Sequence, residues 1–343
     1  MKMKMKAMVY KGPRELRIEE VNVPEIGDRD ILVKVKYCGV CGTDIHIYQG
    51  DGGSFEVTPP LIMGHELSGI VEKTGKLVTK VKKGDLVSVD PNDMCGECYF
   101  CKNAMEQFCT NNKGYGTTVD GGFAEYIVAG EKQVFLFREG TDALTVAMAE
   151  PLSCCIHGID LCNITTGSEV LVMGGGPIGL IMMQLAKMSG AAKVILSEPV
   201  AEKRELALKL GADFVVDPMN EDLAEVLCKH SKNINTVIEC VGNPKTIENA
   251  IDLAGKGATV MLFGLTGPDA KISVRPDVVF KKELKITSSF INPYSFERAI
   301  SVIESGRINV TDVITDIVNL ENAISVFEKP EYRRKGKVVV KMF

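Results

Sequence analysis

Cysteine is crowded into one short stretch of this chain. Cys95, Cys98 and Cys101 recur at every third position, and Cys109 follows eight residues later. Four thiolates this close can converge on one ion. A tetrahedral four-sulfur shell suits zinc and leaves no open coordination position, so such a metal would staple a lobe that has little core of its own. An iron–sulfur cluster uses similarly spaced cysteines and is the rival reading. Four unrelated thiols at this density is the weakest reading.

A second constellation reads Cys38-Gly-Val-Cys41-Gly-Thr43-Asp44-Ile-His46, with Gly64-His65-Glu66 downstream. Cys38 and Cys41 alone would suit a redox pair or half of a zinc ribbon, but no second CxxC is left to complete a ribbon. Cys41, His65 and a carboxylate would instead form a three-ligand site with an open fourth position, as catalytic zinc requires. Zinc there acts as a Lewis acid that lowers the pKa of a bound alcohol. A lone His65 would be read as structural; beside Cys41 and Glu66 it is not.

The third signal is the apolar run Glu169 to Met173, which leads into Gly174-Gly-Gly176-Pro177-Ile178-Gly179 and then a helix. Between a strand and a helix, this spacing is a dinucleotide fingerprint. Gly174 permits the tight turn, Gly176 lets backbone approach a pyrophosphate, and Gly179 allows close helix–strand packing. The helix N-terminus offers N–H groups and partial positive charge to the phosphates. Glu198 ends the next strand, where an acid accepts from the ribose hydroxyls and repels a 2′-phosphate, which favours NAD over NADP. Its structural alternative is to cap the helix that follows. Lys203 and Arg204 stand close enough to keep NADP in play.

These groups need elements to position them. The 343 residues exceed the ~250–300 at which one core stops growing, so two domains are expected. The first half alternates short strands and turns, with strands at 15–21, 31–37, 67–73, 86–89 and 123–129. After Pro151 the rhythm becomes strand and helix in turn. Strands fall at 169–173, 193–197, 214–217, 236–240 and 259–263, and helices at 178–189, 201–210, 222–230 and 245–254. That alternation predicts an α/β fold with a parallel sheet. The tail carries a helix at 296–305 and a strand at 337–342 and is expected to return to the first domain. The first six residues are read as low complexity.

Composition narrows the partners. At 45% hydrophobic and 25% charged, the chain is an ordinary globular one. Its net charge of −5 argues against nucleic acid or an anionic membrane as main partner. The opening MKMKMKAMVY lacks the core and cleavage site of a signal peptide. The uncharged stretch from Val170 to Ala186 is too short and too glycine-rich to span a bilayer. A cytoplasmic, reducing location is expected for the 11 cysteines.

The three patterns, in this order, resemble the zinc-dependent medium-chain dehydrogenases, particularly the sorbitol and polyol branch. The resemblance implies a GroES-like β-rich catalytic domain from residues 1–150 and 291–343, including a structural-zinc lobe at 90–112. Between these parts it implies a doubly wound Rossmann domain at 151–290. The family's catalytic-zinc pattern falls on Cys41, His65 and Glu66, with a further acid at Glu150 where other alcohol dehydrogenases carry a cysteine. Its proton relay falls on Thr43 and His46; Asp44, between them, is read as a structural hydrogen-bond acceptor and His157 as structural. A homotetramer or homodimer is implied.

The resemblance implies that the chain oxidises a secondary alcohol (a polyol, sugar alcohol or vicinal diol) to the ketone with NAD. Sorbitol dehydrogenases hold substrate with an arginine near the segment matching Ser289-Phe290-Ile291-Asn292, which has none here. Threonine dehydrogenases share Cys41 to Tyr48, but carry an extra histidine where this chain has Asp90 to Met94. Threonine 3-dehydrogenase and 2,3-butanediol dehydrogenase are the alternatives within enzymes. A silent zinc- and dinucleotide-binding sensor would have lost one of Cys41, Thr43, His46, His65, Glu66 or Glu150, and all six are present.

Overall fold

A computed structural model describes residues 3–53 and 56–343; Met1 and Lys2 of the opening run lie outside the described residues. The chain divides into two compact units. One comprises Met1–Ser153, Phe296–Gly306 and Val310–Phe343; the other comprises Cys154–Ser295 and Arg307–Asn309.

The first unit is built on a seven-stranded sheet. Its order is Val134–Leu136, Leu86–Val89, Glu66–Thr74, Asp30–Gly39, Lys337–Lys341 and Ile314–Asn319, with Tyr126–Gly130 also paired to Asp30–Gly39. Only the last two strands of that order run parallel to each other. In Asp30–Gly39, Val33 and Val35 are buried while Lys34 and Lys36 are partly exposed, the alternation of a strand with one face on a core.

Two readings of this half need correction. The opening run is a strand, Lys4–Gly12, in a three-stranded sheet with Glu15–Asn22 and Leu61–Ile62. Lys4 and Lys6 point out and Met5 and Ala7 point in, so the lysine–methionine repeat is the period of two of a strand and not low complexity. The strand expected at 123–129 starts later, at Tyr126. Phe123 turns its carbonyl to the Met8 N–H at 2.8 Å instead.

The second unit holds six parallel strands in the order Phe214–Val216, Lys193–Ser197, Glu169–Met173, Thr236–Glu239, Thr259–Leu262 and Lys285–Ser288. This is the doubly wound order, with its switch point beside Glu169–Met173. The four inner strands are buried apolar runs such as Val170, Leu171 and Val172, as expected where helices cover both faces. The sixth strand, Lys285–Ser288, was not expected; it lies on the sheet edge and is largely exposed, so it lacks the apolar signature of its neighbours.

Candidate active site

Cys41 lies two residues past the strand Asp30–Gly39 and is the N-cap of the helix Gly42–Gln49. Sequence reasoning assigned no helix here. Its N-terminus is closed by Asp44, whose Oδ2 accepts the Cys41 N–H at 2.8 Å. Gly50, at φ +90°, ends it in the left-handed conformation. Thr43 and His46 are three residues apart on this helix and so share a face.

His65 and Glu66 stand at the start of the neighbouring strand, Glu66–Thr74, which pairs with the strand leading to Cys41 through Gly39 opposite Glu66. The pairing brings the ligand atoms of Cys41, His65 and Glu66 within 4.8 Å of one another. His65 and Glu66 are buried. The Asp44 Oδ1 lies 3.5 Å from the His65 Nδ1, which orients the ring and leaves Nε2 as the donor for a metal. Burial works against a charged His65, yet Asp44 and Cys41 outweigh it and hold its pKa well above the ordinary histidine value. The pocket therefore concentrates negative charge around one buried imidazole and draws in a cation. One sulfur, one nitrogen and one carboxylate is a donor set that fits zinc.

Lys337, missed by sequence reasoning, is the cation the protein itself supplies. It opens the strand Lys337–Lys341, is almost wholly buried and forms an ion pair with the Glu66 Oε2. Burial disfavours its ammonium form, but Glu66, Cys41 and Glu150 more than compensate and raise its pKa. Gly39 leaves room for the pair, because a Cβ there would collide with the Glu66 carboxylate and crowd Lys337 Cε at 3.0 Å. Glu150 is buried in the first turn of the helix Ala149–Leu161. It stands outside the set of three, near enough for its charge to act on Lys337.

Cys38 does not join Cys41. It is fully buried against Gly64 and Gly122, and burial pushes its thiol well up, so a redox pair with Cys41 does not fit. His46 is partly exposed, with its Nδ1 3.5 Å from the Asp51 Oδ2. His157 is half-buried, and burial lowers its pKa.

The thiols of Cys95, Cys98, Cys101 and Cys109 also lie within 4.8 Å of one another. Backbone N–H groups point at the sulfurs: Cys95 N to Cys109 Sγ at 3.4 Å, Cys98 N to Cys95 Sγ at 3.4 Å, and Asn111 N to Cys109 Sγ at 3.4 Å. Donors from Cys101 and Thr110 bring the Cys98 thiol down to about 6, while burial pushes Cys101 up to about 12. The cluster thus favours thiolates but cannot ionise all four without a cation, which is what a structural metal supplies.

In the second unit, Gly174 takes φ +102°, and a Cβ on it would press on Val241 Cγ2 at 2.9 Å. A Cβ on Gly179 would run into the Gly174 carbonyl, whereas one on Gly176 would meet open space. The helix Pro177–Met188 begins with Pro177 and Ile178 and has no side-chain cap, so its first N–H groups are available to an anion. The buried Glu198 carboxylate accepts from Gly175 N at 2.6 Å and from Val200 N at 2.9 Å. It is at once part of the glycine turn and a brace for the helix Ala201–Lys209, and each oxygen keeps a lone pair for a ribose hydroxyl. Lys203 makes no ion pair among the described residues. Arg204, read from sequence as a cation at hand for NADP, is already engaged: it donates to the carbonyls of Glu198 and Pro199, both at 2.7 Å, and pairs with Asp217.

Residues 27–139 match the model of the alcohol dehydrogenase GroES-like domain, and residues 177–305 that of the zinc-binding dehydrogenases. The chain is 34% identical to D-arabinitol dehydrogenase 1 of Uromyces fabae, over 98% of this chain and 97% of that one. It is 33% identical to L-threonine 3-dehydrogenase of Pyrococcus furiosus, over 93% of each. Among solved structures, a zinc-binding dehydrogenase of Sinorhizobium meliloti 1021 bound to NADP superposes with a TM-score of 0.96 at 37% identity, over 99% of this chain and 100% of that one. A protein described as a short chain alcohol dehydrogenase of Escherichia coli CFT073, complexed with NADH, does so with a TM-score of 0.90 at 29% identity, over 99% of each.

Proposed function

The chain belongs to the zinc-dependent medium-chain alcohol dehydrogenases, and from that membership we propose that Cys41, His65 and Glu66 hold its catalytic zinc, with Glu150 beside them, and that its substrate is a polyol, sugar alcohol or vicinal diol. The observation that carries this is the convergence of a buried sulfur, nitrogen and carboxylate within 4.8 Å. When bound there, zinc supplies the Lewis acidity that makes an alcohol hydroxyl acidic near neutral pH, and NAD supplies the hydride acceptor.

The chain's own residues do the rest. Asp44 holds the His65 ring and the Cys41 backbone in place. The Thr43 hydroxyl accepts the substrate proton and donates its own onward, and His46, partly open to solvent, releases it to water. Cys95, Cys98, Cys101 and Cys109 hold a second zinc that has no open position and is structural. Gly174, Gly176, Pro177, Ile178 and Gly179 receive the dinucleotide pyrophosphate, and Glu198 with Lys203 receives its adenosine ribose, with NAD preferred.

Similarity to the Pyrococcus furiosus enzyme favours L-threonine as the second reading. Steady-state rates on sorbitol, xylitol, arabitol, 2,3-butanediol and threonine, each with NAD and with NADP, separate the two. A polyol or diol is expected to give the highest kcat/KM; threonine in first place would overturn the substrate reading. Cys41→Ser is expected to abolish turnover while dinucleotide binding persists, and a fully active variant would sink the metal site.

The association of copies has support in the second unit. Lys285–Ser288 is an open sheet edge, and Phe280 at 85% and Leu265 at 66% exposure lie in the same unit with Ile286 and Phe290. Exposed edges and apolar surface of this kind are covered in stable proteins; a homodimer or homotetramer covers them here. Light scattering on the eluted protein tests this. No helix among the described residues is long and apolar enough to cross a membrane. A cluster of four free thiols, with Cys41 free as well, is best kept in a reducing, cytoplasmic compartment.

A further inference from the structure

The end of the second parallel strand carries a cation that the chain has gone to some length to restrain. Arg204 sits in the first turn of the helix Ala201–Lys209. Its Nη1 donates to the backbone carbonyls of Glu198 and Pro199, each at 2.7 Å. Its Nη2 lies 3.1 Å from the Asp217 Oδ2, just past the end of the third strand, Phe214–Val216. Both side chains are more than four-fifths buried. Three of the five guanidinium N–H donors are thereby committed, and the plane of the group is fixed.

Asp217 is itself held. Its Oδ1 accepts from Met219 N at 3.0 Å and its Oδ2 from Asn220 Nδ2 at 3.1 Å. These donors, with Arg204, keep its carboxyl below the usual aspartate range, so it is a firm anion at neutral pH. Arg204 is bonded to the main chain of the residue whose carboxylate faces the glycine turn. A guanidinium in that neighbourhood is what a dinucleotide fold uses to accept a 2′-phosphate.

We propose that Asp217 is a specificity-determining residue: by pinning Arg204 against the Glu198 and Pro199 carbonyls, it withholds that guanidinium from the 2′ position of the adenosine ribose and biases the chain to NAD. This rests on the cofactor reading above, in which Glu198 receives the ribose. Two layers of discrimination follow. Glu198 repels a 2′-phosphate directly, and Asp217 withholds Arg204, one of the two nearby cations, leaving only Lys203.

The test uses binding of 5′-ADP and of adenosine 2′,5′-bisphosphate to the full-length, zinc-replete protein by calorimetry, with kcat/KM for NAD and NADP measured in parallel. Wild type is expected to bind 5′-ADP the more tightly. Asp217→Asn keeps an acceptor for Met219 but loses the charge that holds Arg204. It is expected to improve bisphosphate affinity by about tenfold, the scale of one charge-assisted hydrogen bond, and to leave 5′-ADP within about twofold. Adding Arg204→Met to that variant is expected to erase the gain. An unchanged bisphosphate affinity in folded Asp217→Asn, or a gain that survives Arg204→Met, overturns the proposal.

Arg204→Met alone decides the matter without Asp217. In an otherwise wild-type chain it is expected to leave the ratio of the two affinities within about twofold, because the guanidinium is not spent on the nucleotide. A selective loss of bisphosphate binding would mean that Arg204 already serves the phosphate, and the proposal would fall. Should wild type bind neither nucleotide, or Glu198→Ala leave 5′-ADP binding untouched, the cofactor reading itself fails and takes the proposal with it.

Discussion

The carboxylate of Asp44 ties Cys41 to His65: its Oδ2 takes the Cys41 N–H at 2.8 Å and its Oδ1 lies 3.5 Å from the His65 Nδ1. It is fully buried, so its charge is neither solvated nor screened. The first consequence concerns metal affinity. Asp44→Asn keeps the shape but removes the charge that orients His65, and loss of such an outer partner weakens metal binding about 10–100-fold. Competition with a chromogenic chelator measures this directly. Zinc held as tightly as in wild type would show that the Asp44 contact is incidental.

Lys337 yields the second prediction. The pair it makes with Glu66 is almost completely withdrawn from water, and removing one partner of such a pair costs about 3–5 kcal/mol because the other charge is left buried and alone. Lys337→Met in the metal-free protein is therefore expected to lower Tm by many degrees. The double variant Lys337→Met with Glu66→Gln is expected to recover most of the loss, since no orphan charge remains. A double variant as unstable as the single one would assign the cost to packing instead.

The contrast between these two residues shows what a sequence can disclose here. Cys41, His65 and Glu66 are legible because sulfur, imidazole and carboxylate in a tight pattern are rare by accident and have few other uses. Asp44 could be assigned as a hydrogen-bond acceptor from its place beside them. Lys337 could not: a lysine at the head of a valine run looks like the exposed end of a strand, and its burial is decided by Glu66, distant in the chain. Arg204 misled for the same reason, since Asp217, which occupies it, belongs to another strand end. The parallel strands were readable because burial on both faces leaves apolar runs such as Val194 to Leu196. The edge strand Lys285–Ser288 carries no such run, and the opening lysine–methionine alternation reads as low complexity because its meaning depends on which face is covered.

The four-thiol cluster makes a pH prediction. Without metal at pH 7, Cys98, near 6, is ionised, while Cys101, near 12, keeps its proton. The metal-bound cluster needs thiolates throughout, so it binds fewer protons than the empty one, and affinity rises with pH. Zinc uptake at pH 7 is expected to release at least the Cys101 proton, seen as a buffer-dependent heat in calorimetry. As pH falls below about 6, Cys98 protonates as well and zinc loss steepens. Uptake with no proton release would contradict the assignment. Cys98→Ser is expected to leave one of the two metal equivalents in the chain, with the lobe newly open to proteolysis.

The glycine turn permits a sharper separation of fold from function. Gly176 has an ordinary extended backbone and open space where a Cβ would go. Gly176→Ala should therefore fold without penalty, and the added methyl enters only the open space proposed above for the pyrophosphate. Gly179→Ala, by contrast, drives a methyl into the Gly174 carbonyl and must separate the helix Pro177–Met188 from the strand beneath it. The expected result is opposite signatures. Gly176→Ala keeps Tm within a degree or two and loses about tenfold or more in NAD affinity, while Gly179→Ala loses Tm first and affinity as a result. If Gly176→Ala binds NAD as wild type does, the dinucleotide does not lie over this turn, and the helix N-terminus is free for some other anion.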